Sequence, residues 1–223
     1  MLARNHLLAE KITAPDFPLK PFQTLQSWQR QRLAESYSDL SSQESYRPAC
    51  EFFLDDLYGG LDFLERDQDV AKVMPVMVKF LPGRFLIALA DAFELQAISL
   101  EFDMSMVVQM DSADVTTLST AAYAQLYRSC GDRPLREHQI QLIRNLGHEL
   151  AKLARKPFVT QLIRLMRGPA NAAGFNVLQS FLEAGVLSFH TLDDPACFIN
   201  TIYAREWLSM QKLFAGAAEP FSF

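Results

Sequence analysis

The sequence lacks the features that mark several common classes of protein. Its 223 residues include only three cysteines, Cys50, Cys130 and Cys197, and none has CxxC spacing. This usage is typical of reduced thiols in a cytoplasm rather than of a disulfide framework. No segment reaches the ~18 unbroken apolar residues that a membrane span needs, and the N-terminus has no secretory layout. These absences predict a soluble, cytoplasmic protein without a membrane span.

Signals for strands and repeats are also missing. We find no alternating apolar run with hairpin turn residues and no internal repeat of fixed period. Nine glycines and eleven prolines are scattered along the chain, so no linker divides it. The pattern predicts an all-α protein with a single globular domain, a multi-helix bundle of about eight or nine helices at 22–214. A proline-rich, extended N-terminal arm at 1–21 precedes the domain, and a short tail at 215–223 follows it.

The usual motifs of catalysis do not occur. No glutamate has a histidine three residues later, as helical di-iron sites require, and G-x-S-x-G, phosphate-loop and dinucleotide fingerprints are missing. We therefore predict no catalytic residue, no metal and no cofactor.

Two cofactor alternatives remain open. Asp91, Glu94 and Glu101 share a face of the central helix and could meet a histidine from elsewhere. His190 follows an apolar helix and could ligate haem, although histidines at that position more often cap the helix. The alternative prediction is a cofactor-dependent enzyme, or a haem- or metal-binding protein, of haem-oxygenase-like or globin-like build.

Charge is distributed unevenly. A net charge of −5 and a pI near 5.4 argue against nucleic-acid binding. Residues 31–69 hold ten acidic and three basic side chains, whereas residues 128–167 hold nine basic and three acidic ones. Either the two segments face each other or form solvated helix faces, or the basic segment binds an anionic ligand or partner.

Apolar spacing and punctuation predict the individual helices. One is expected at 22–37, one at 47–58 closed by Gly59-Gly60, and a long central one from about Gly83 to Met110. Pro75 is expected to interrupt another. Pro157 and Pro169 are predicted to begin two helices, with Gly168 between them. Residues 167–170 would then form a corner whose amides could also receive an anion.

The most unusual segment is 51–67, which combines aromatic residues, a run of carboxylates and a glycine pair. One interpretation is a buried corner in which Phe52, Phe53 and Leu57 pack inward while the charges pair at its rim. In the other, its polar residues line a pocket or a partner surface together with residues from the second half of the chain. The ligand- or partner-binding residues predicted on that basis are Tyr58, Arg66, Asp67, Arg167 and Glu183.

The heptad Phe52-Phe53-Leu54-Asp55-Asp56-Leu57-Tyr58 resembles the signature of the bacterial "FFLEELY motif" proteins, with both glutamates replaced by aspartates. Gly59 and Arg66-Asp67 fit the same family, as do the segments 167–170 and 178–185. The resemblance covers roughly 50–214. It implies a bacterial helical protein and transfers no activity, cofactor or catalytic residue.

The function predicted from these observations is non-enzymatic binding of a partner protein or a small-molecule ligand. Nucleic acid is not expected as a partner. The apolar composition is compatible with a homodimer, although no heptad run supports a coiled coil.

Overall fold

The computed structural model describes residues 2–57, 83–174 and 176–223. Helices follow one another through these ranges, and we number them in chain order. They are α1 (Leu2–Ile12), α2 (Leu19–Ser36), α3 (Ser38–Ser41), α4 (Arg47–Glu51), a π-helix (Phe52–Leu57), α5 (Gly83–Ser112), α6 (Thr120–Ser129), α7 (Arg133–Ala154), α8 (Pro157–Ala172), α9 (Asn176–His190) and α10 (Pro195–Ala215). No strand occurs in the described ranges. The prediction of an all-α bundle is confirmed.

Side-chain caps start three of these helices. The side chains of Ser119, Asp132 and Asp194 accept hydrogen bonds from backbone amides in the first turns of α6, α7 and α10. Such caps satisfy amides that have no partner within the helix. Gly216 ends α10 at φ +73°, a conformation that favours glycine. The central helix, predicted from about Gly83 to Met110, is observed at Gly83–Ser112.

The extended conformation predicted for the N-terminal arm is wrong for its first part. Residues 2–12 form α1, and Leu8 and Ile12 are buried in the core. Arg4 holds the helix to α5 through two hydrogen bonds to Glu101, at 2.7 and 2.5 Å. The three prolines of the arm all lie after residue 13, so they leave the preceding segment free to form a helix.

The helix break predicted at Gly168-Pro169 is also wrong. Pro169 lies inside α8, which continues to Ala172. A proline within a helix removes one hydrogen bond to the carbonyl four residues earlier. Here that carbonyl belongs to Leu165, and both residues are exposed, so water can reach this side of the helix. Residues 167–170 therefore offer no free amides for an anion.

Two clusters of buried side chains form the core, and α5 contributes to both. Its first half supplies Phe85 and Phe93 to the cluster around α7, α9 and the π-helix. Its second half supplies Met106 and Met110 to the cluster around α1, α2 and the end of α10. Because α5 is buried on most sides, it needs apolar residues around most of its circumference.

The heptad segment forms a packed aromatic corner over the residues that the structure describes. Phe52 is buried and lies 5.5 Å, ring to ring, from Phe181, and Phe53 lies 5.8 Å from Phe189. A Cβ at Gly185 would lie only 3.0 Å from the Phe52 ring, so this glycine makes room for it. The inward packing predicted for Phe52 and Phe53 is therefore confirmed, whereas the side chain of Leu57 lies outside the described structure and its packing stays a prediction.

Among the described helices, none combines the length and the apolar character needed to cross a bilayer.

We expect the substitution Gly168→Ala to raise the free energy of unfolding by no more than about 0.5 kcal/mol, because alanine favours helix and open space surrounds this position in α8, whereas the ring of Pro169 disfavours a Cβ on the preceding helical residue. Gly185→Ala is the matched control in α9. It has the same propensity advantage, but its methyl group would meet the buried Phe52 ring, so the gain should be lost or reversed. Urea unfolding measures both differences. Equal gains at the two positions would contradict the packing described for Phe52.

Candidate functional site

A cavity of about 210 Å³ lies between α2, α5, α7 and α10, with α6 and the π-helix contributing to its wall. Its walls differ in chemistry. Apolar side chains, including Phe53, Leu95, Ile143 and Phe198, line one part of it. The polar and ionisable side chains that line the remainder are Gln26, Gln29, Arg32, Tyr37, Ser41, Cys50, Gln96, Ser99, Asp103, Tyr123, Tyr127, Arg136, Gln139 and Glu206. The cavity is therefore amphipathic. A second, apolar cavity of about 40 Å³ lies near Phe52 and Phe181.

Arg136 is the most unusual residue of this cavity, because its guanidinium is buried and incompletely bonded. It is 5% exposed, and its Cζ lies 3.5 Å from the ring centroid of Phe102 and 4.2 Å from that of Tyr127. Nη1 donates to Gln139 Oε1 at 3.1 Å. Nε and Nη2 make no hydrogen bond to any part of the protein that the structure describes. Buried polar groups usually have partners, so these two N–H groups require an explanation.

Asp103 is the second buried charged group. It is 8% exposed, and its Oδ1 accepts a hydrogen bond from Gln29 Nε2 at 2.9 Å. Burial raises the pKa of this carboxyl to about 6, although the Gln29 hydrogen bond and the positive charge of Arg136 both act to lower it. A carboxyl group with this pKa changes its charge near neutral pH.

A third charged group, Glu206, is partly buried, and its carboxylate is bound to two neighbouring side chains. Its Oε1 accepts from Arg32 Nη1 at 2.6 Å and from the Tyr37 hydroxyl at 2.7 Å. Burial is the largest single influence on Arg32 and acts to lower its pKa, but Glu206 together with Tyr123 and Tyr37 outweighs it and raises the pKa overall. The opposite charges of Arg32 and Glu206 therefore compensate each other. Arg136 and Asp103 are the other charged side chains that line the cavity.

The site residues predicted from the sequence are only partly assembled in the described structure. Arg167 on α8 and Glu183 on α9 form a two-pronged ion pair, in which Arg167 Nε donates to Glu183 Oε2 at 2.9 Å. The pair ties the two helices together and lies outside the large cavity. The predicted contributions of Tyr58, Arg66 and Asp67 lie outside the described residues, as do Gly59-Gly60 and Pro75, and stay predictions.

Two of the three carboxylates considered as metal ligands, Glu94 and Glu101, have side-chain partners. Glu94 lies 2.9 Å from His138 Nε2, and Glu101 binds Arg4. In the described ranges, no group of three or more Asp, Glu, His or Cys side chains could hold a metal ion. His190, the residue considered for haem, is exposed in the last turn of α9. None of the four histidines lines the large cavity.

The sequence pointed to some of the residues that line the cavity but not to others. Arg136 belongs to the basic segment 128–167 that was considered for anion binding. Asp103 was not among the predicted site residues, although a carboxylate on an apolar stripe of the central helix was the available signal. Gln29 and Glu206 carried no sequence signal, since polar residues on amphipathic helices are usually solvated.

A family model matches residues 14–220 of the chain, and its description is Domain of unknown function (DUF8198). The chain belongs to this family. No curated protein and no solved structure matches the chain. The DUF8198 match begins after α1 and includes every residue that lines the large cavity. The cavity is therefore built entirely from residues inside the matched range, and α1 lies outside that range.

Proposed function

We propose that this member of the DUF8198 family is a non-enzymatic binding protein for a small amphipathic organic molecule, which occupies the cavity between α2, α5, α7 and α10. One observation carries the proposal: an apolar pocket also contains a buried arginine, Arg136, with two N–H groups that have no protein partner. Ligand sites are typically concave and mostly apolar, with a few polar groups that fix orientation.

The size of the cavity limits the ligand. At about 210 Å³ it exceeds the ~150 Å³ of an engineered apolar cavity that binds benzene. A ligand of one ring or a chain of about eight carbons is the largest that fits without rearrangement. The apolar wall would receive the hydrocarbon part, and the polar wall would receive the head group.

We expect that eight-carbon amphiphiles bind and that filling the cavity prevents it. The probes are octanoate, 1-octanol and octylamine, measured by thermal unfolding. A ligand at a hundredfold excess over its Kd stabilises by about 2.7 kcal/mol, which corresponds to a shift of several degrees. Ala92 lines the cavity, so Ala92→Phe should abolish the shift. Ala121→Phe, at an exposed position outside the cavity, is the control.

Several outcomes would contradict this proposal. No shift with any of the three probes would do so, as would shifts that survive in a folded Ala92→Phe variant. A Soret band or stoichiometric iron in protein purified from its own host would instead support the haem or metal alternative. Native mass spectrometry of the same sample reports bound ligand, metal and oligomeric state together.

We also propose that the chain is a bacterial, cytoplasmic protein of the "FFLEELY motif" type. The heptad at 52–58 supports the motif, and three cysteines without a disulfide among them support the compartment. Tyr58, Arg66 and Asp67 remain proposed binding residues, together with Arg167 and Glu183.

A second copy or a partner protein could use the exposed apolar side chains Phe158 and Leu165 of α8, which are 61% and 75% exposed.

A further inference from the structure

We propose that the ligand of the large cavity is a monocarboxylate, that Arg136 binds it through Nε and Nη2, and that Asp103 takes up a proton when the carboxylate binds. This inference rests on the proposed binding function and names the chemical class of its ligand.

The geometry of Arg136 favours a carboxylate. Nε and Nη2 form one edge of the guanidinium, and they are the two nitrogens without a protein partner. That edge offers two parallel N–H donors at the spacing of the two carboxylate oxygens. The rings of Phe102 and Tyr127 and the hydrogen bond to Gln139 fix the plane of the group. The protein therefore supplies a preorganised fork for two oxygen atoms.

The charges of the cavity indicate a proton partner for the ligand. Its charged and titratable groups come from five helices, α2, α5, α6, α7 and α10, and from the segment between α2 and the π-helix: Arg32, Tyr37, Cys50, Asp103, Tyr123 and Tyr127, Arg136, and Glu206. Glu206 is bound to Arg32 and Tyr37. Burial raises the pKa of Tyr127 far above neutrality and that of Cys50 to about 11. Asp103 is thus the group whose charge opposes a bound anion near neutral pH.

The charged side chains of the cavity also favour a ligand with a single negative charge. Arg32 also lines the cavity and has an Nε without a partner, but its charge is compensated by Glu206, so Arg136 is the cation among the described lining residues that forms no ion pair with a carboxylate. When Asp103 is protonated, the single negative charge of a monoanion compensates the positive charge of Arg136. A phosphate dianion would leave one buried negative charge without a partner. Uncompensated buried charge is strongly unfavourable. A second anion near Asp103 also disfavours its ionised form, so binding and protonation support each other.

The test is isothermal titration of the full chain with octanoate, and with 1-octanol and octylamine for comparison. We expect octanoate to bind at least about tenfold more tightly than 1-octanol, because a charge-assisted pair is worth more than a neutral hydrogen bond. Titrations in two buffers that differ in ionisation enthalpy should reveal uptake of close to one proton per octanoate at about pH 7. Affinity should fall about tenfold or more between about pH 6 and pH 8, since proton uptake is linked to binding.

Two pairs of variants separate the role of Arg136 in binding the carboxylate from the role of Asp103 in proton uptake. Arg136→Lys keeps the charge but removes the fork, and it should weaken octanoate binding about tenfold or more. Arg144→Lys is the matched control, since Arg144 also lies on α7, has a buried Nε without a partner and lies over the Tyr203 ring, but does not line the cavity. At pH 7, Asp103→Asn should bind octanoate more tightly than the parent chain, because no proton has to be taken up, and it should lose both proton uptake and the pH dependence. Asp111→Asn, on the same helix, should change neither.

The result that overturns this inference alone is binding of 1-octanol as tightly as octanoate, or binding of octanoate without proton uptake and unchanged in Asp103→Asn. Preference for octylamine would overturn it as well. Failure of all three probes to bind contradicts the proposed function itself, so the two failures are distinguishable. If Arg136→Lys does not fold, the Asp103→Asn comparison decides the proton step and the octanoate–octanol comparison decides the carboxylate.

Discussion

The substitution Glu206→Gln is expected to lower the free energy of unfolding by about 3–4 kcal/mol, the largest single effect that we predict. The side chains of Glu206 and Arg32 are 16% and 13% exposed, and their N–O distance is 2.6 Å. Glutamine would remove the negative charge and leave the buried guanidinium of Arg32 without a counter-charge. Removing one partner of a buried ion pair is strongly destabilising, because the other partner has already lost its water.

Urea unfolding at neutral pH measures this loss, and the chain provides its own control. Arg4–Glu101 is an exposed pair with similar geometry, so Glu101→Gln should cost no more than about 1 kcal/mol. The double variant Arg32→Met with Glu206→Leu should recover much of the stability lost in Glu206→Gln, since apolar residues of similar size often replace a buried pair without loss. Equal losses for Glu206→Gln and Glu101→Gln would show that burial does not control the pair.

The substitution Asp103→Asn is expected to raise the free energy of unfolding at neutral pH by roughly 2–3 kcal/mol. The pKa of this carboxyl rises from its ordinary 3.8 to about 6 in the folded chain, first because of burial. Each pKa unit corresponds to ~1.4 kcal/mol, so ionisation of the folded chain costs stability of this order. Asparagine cannot ionise and still offers a carbonyl oxygen to Gln29, so it should avoid that cost.

The sign of the pH dependence is a second readout of the same variant. Between pH 3.8 and about 6, the folded chain holds a proton on Asp103 that the unfolded chain has released. Stability contributed by this group is therefore greatest below pH 3.8, falls as the pH rises to about 6, and changes little above that. Asp103→Asn should remove this fall, whereas Asp111→Asn, on the exposed end of the same helix, should keep it. An Asp103→Asn variant that is less stable than the parent chain at neutral pH would contradict the prediction.

These two predictions together describe a cavity that is not optimised for stability. Glu206 neutralises Arg32 and contributes to the fold, whereas the ionised form of Asp103 opposes it. Proteins commonly accept such a cost where a site needs a destabilised group. The proposed carboxylate ligand would remove the cost, because its binding favours the protonated form of Asp103 and gives Arg136 its missing partner.

The sequence predicted the helices well where a local signal defined them. Pro157 begins a helix as expected, because a proline in the first turn acts locally. Local signals failed where tertiary context prevailed. Pro169 suggested a helix start but is tolerated within α8, where it lies on the exposed side. The three prolines of the arm suggested extended chain and concealed α1, which packs through Leu8 and Ile12.

The sequence by itself therefore determined the all-α class, the order of most helices and the aromatic packing of Phe52 and Phe53, because apolar periodicity and caps act over a few residues. Only the tertiary structure decided which polar residues share a cavity. Gln29, Asp103, Arg136 and Glu206 lie on four different helices, and each is an ordinary residue for its own helix. Their pairing, their burial and the two unpaired N–H groups of Arg136 exist only where α2, α5, α7 and α10 meet.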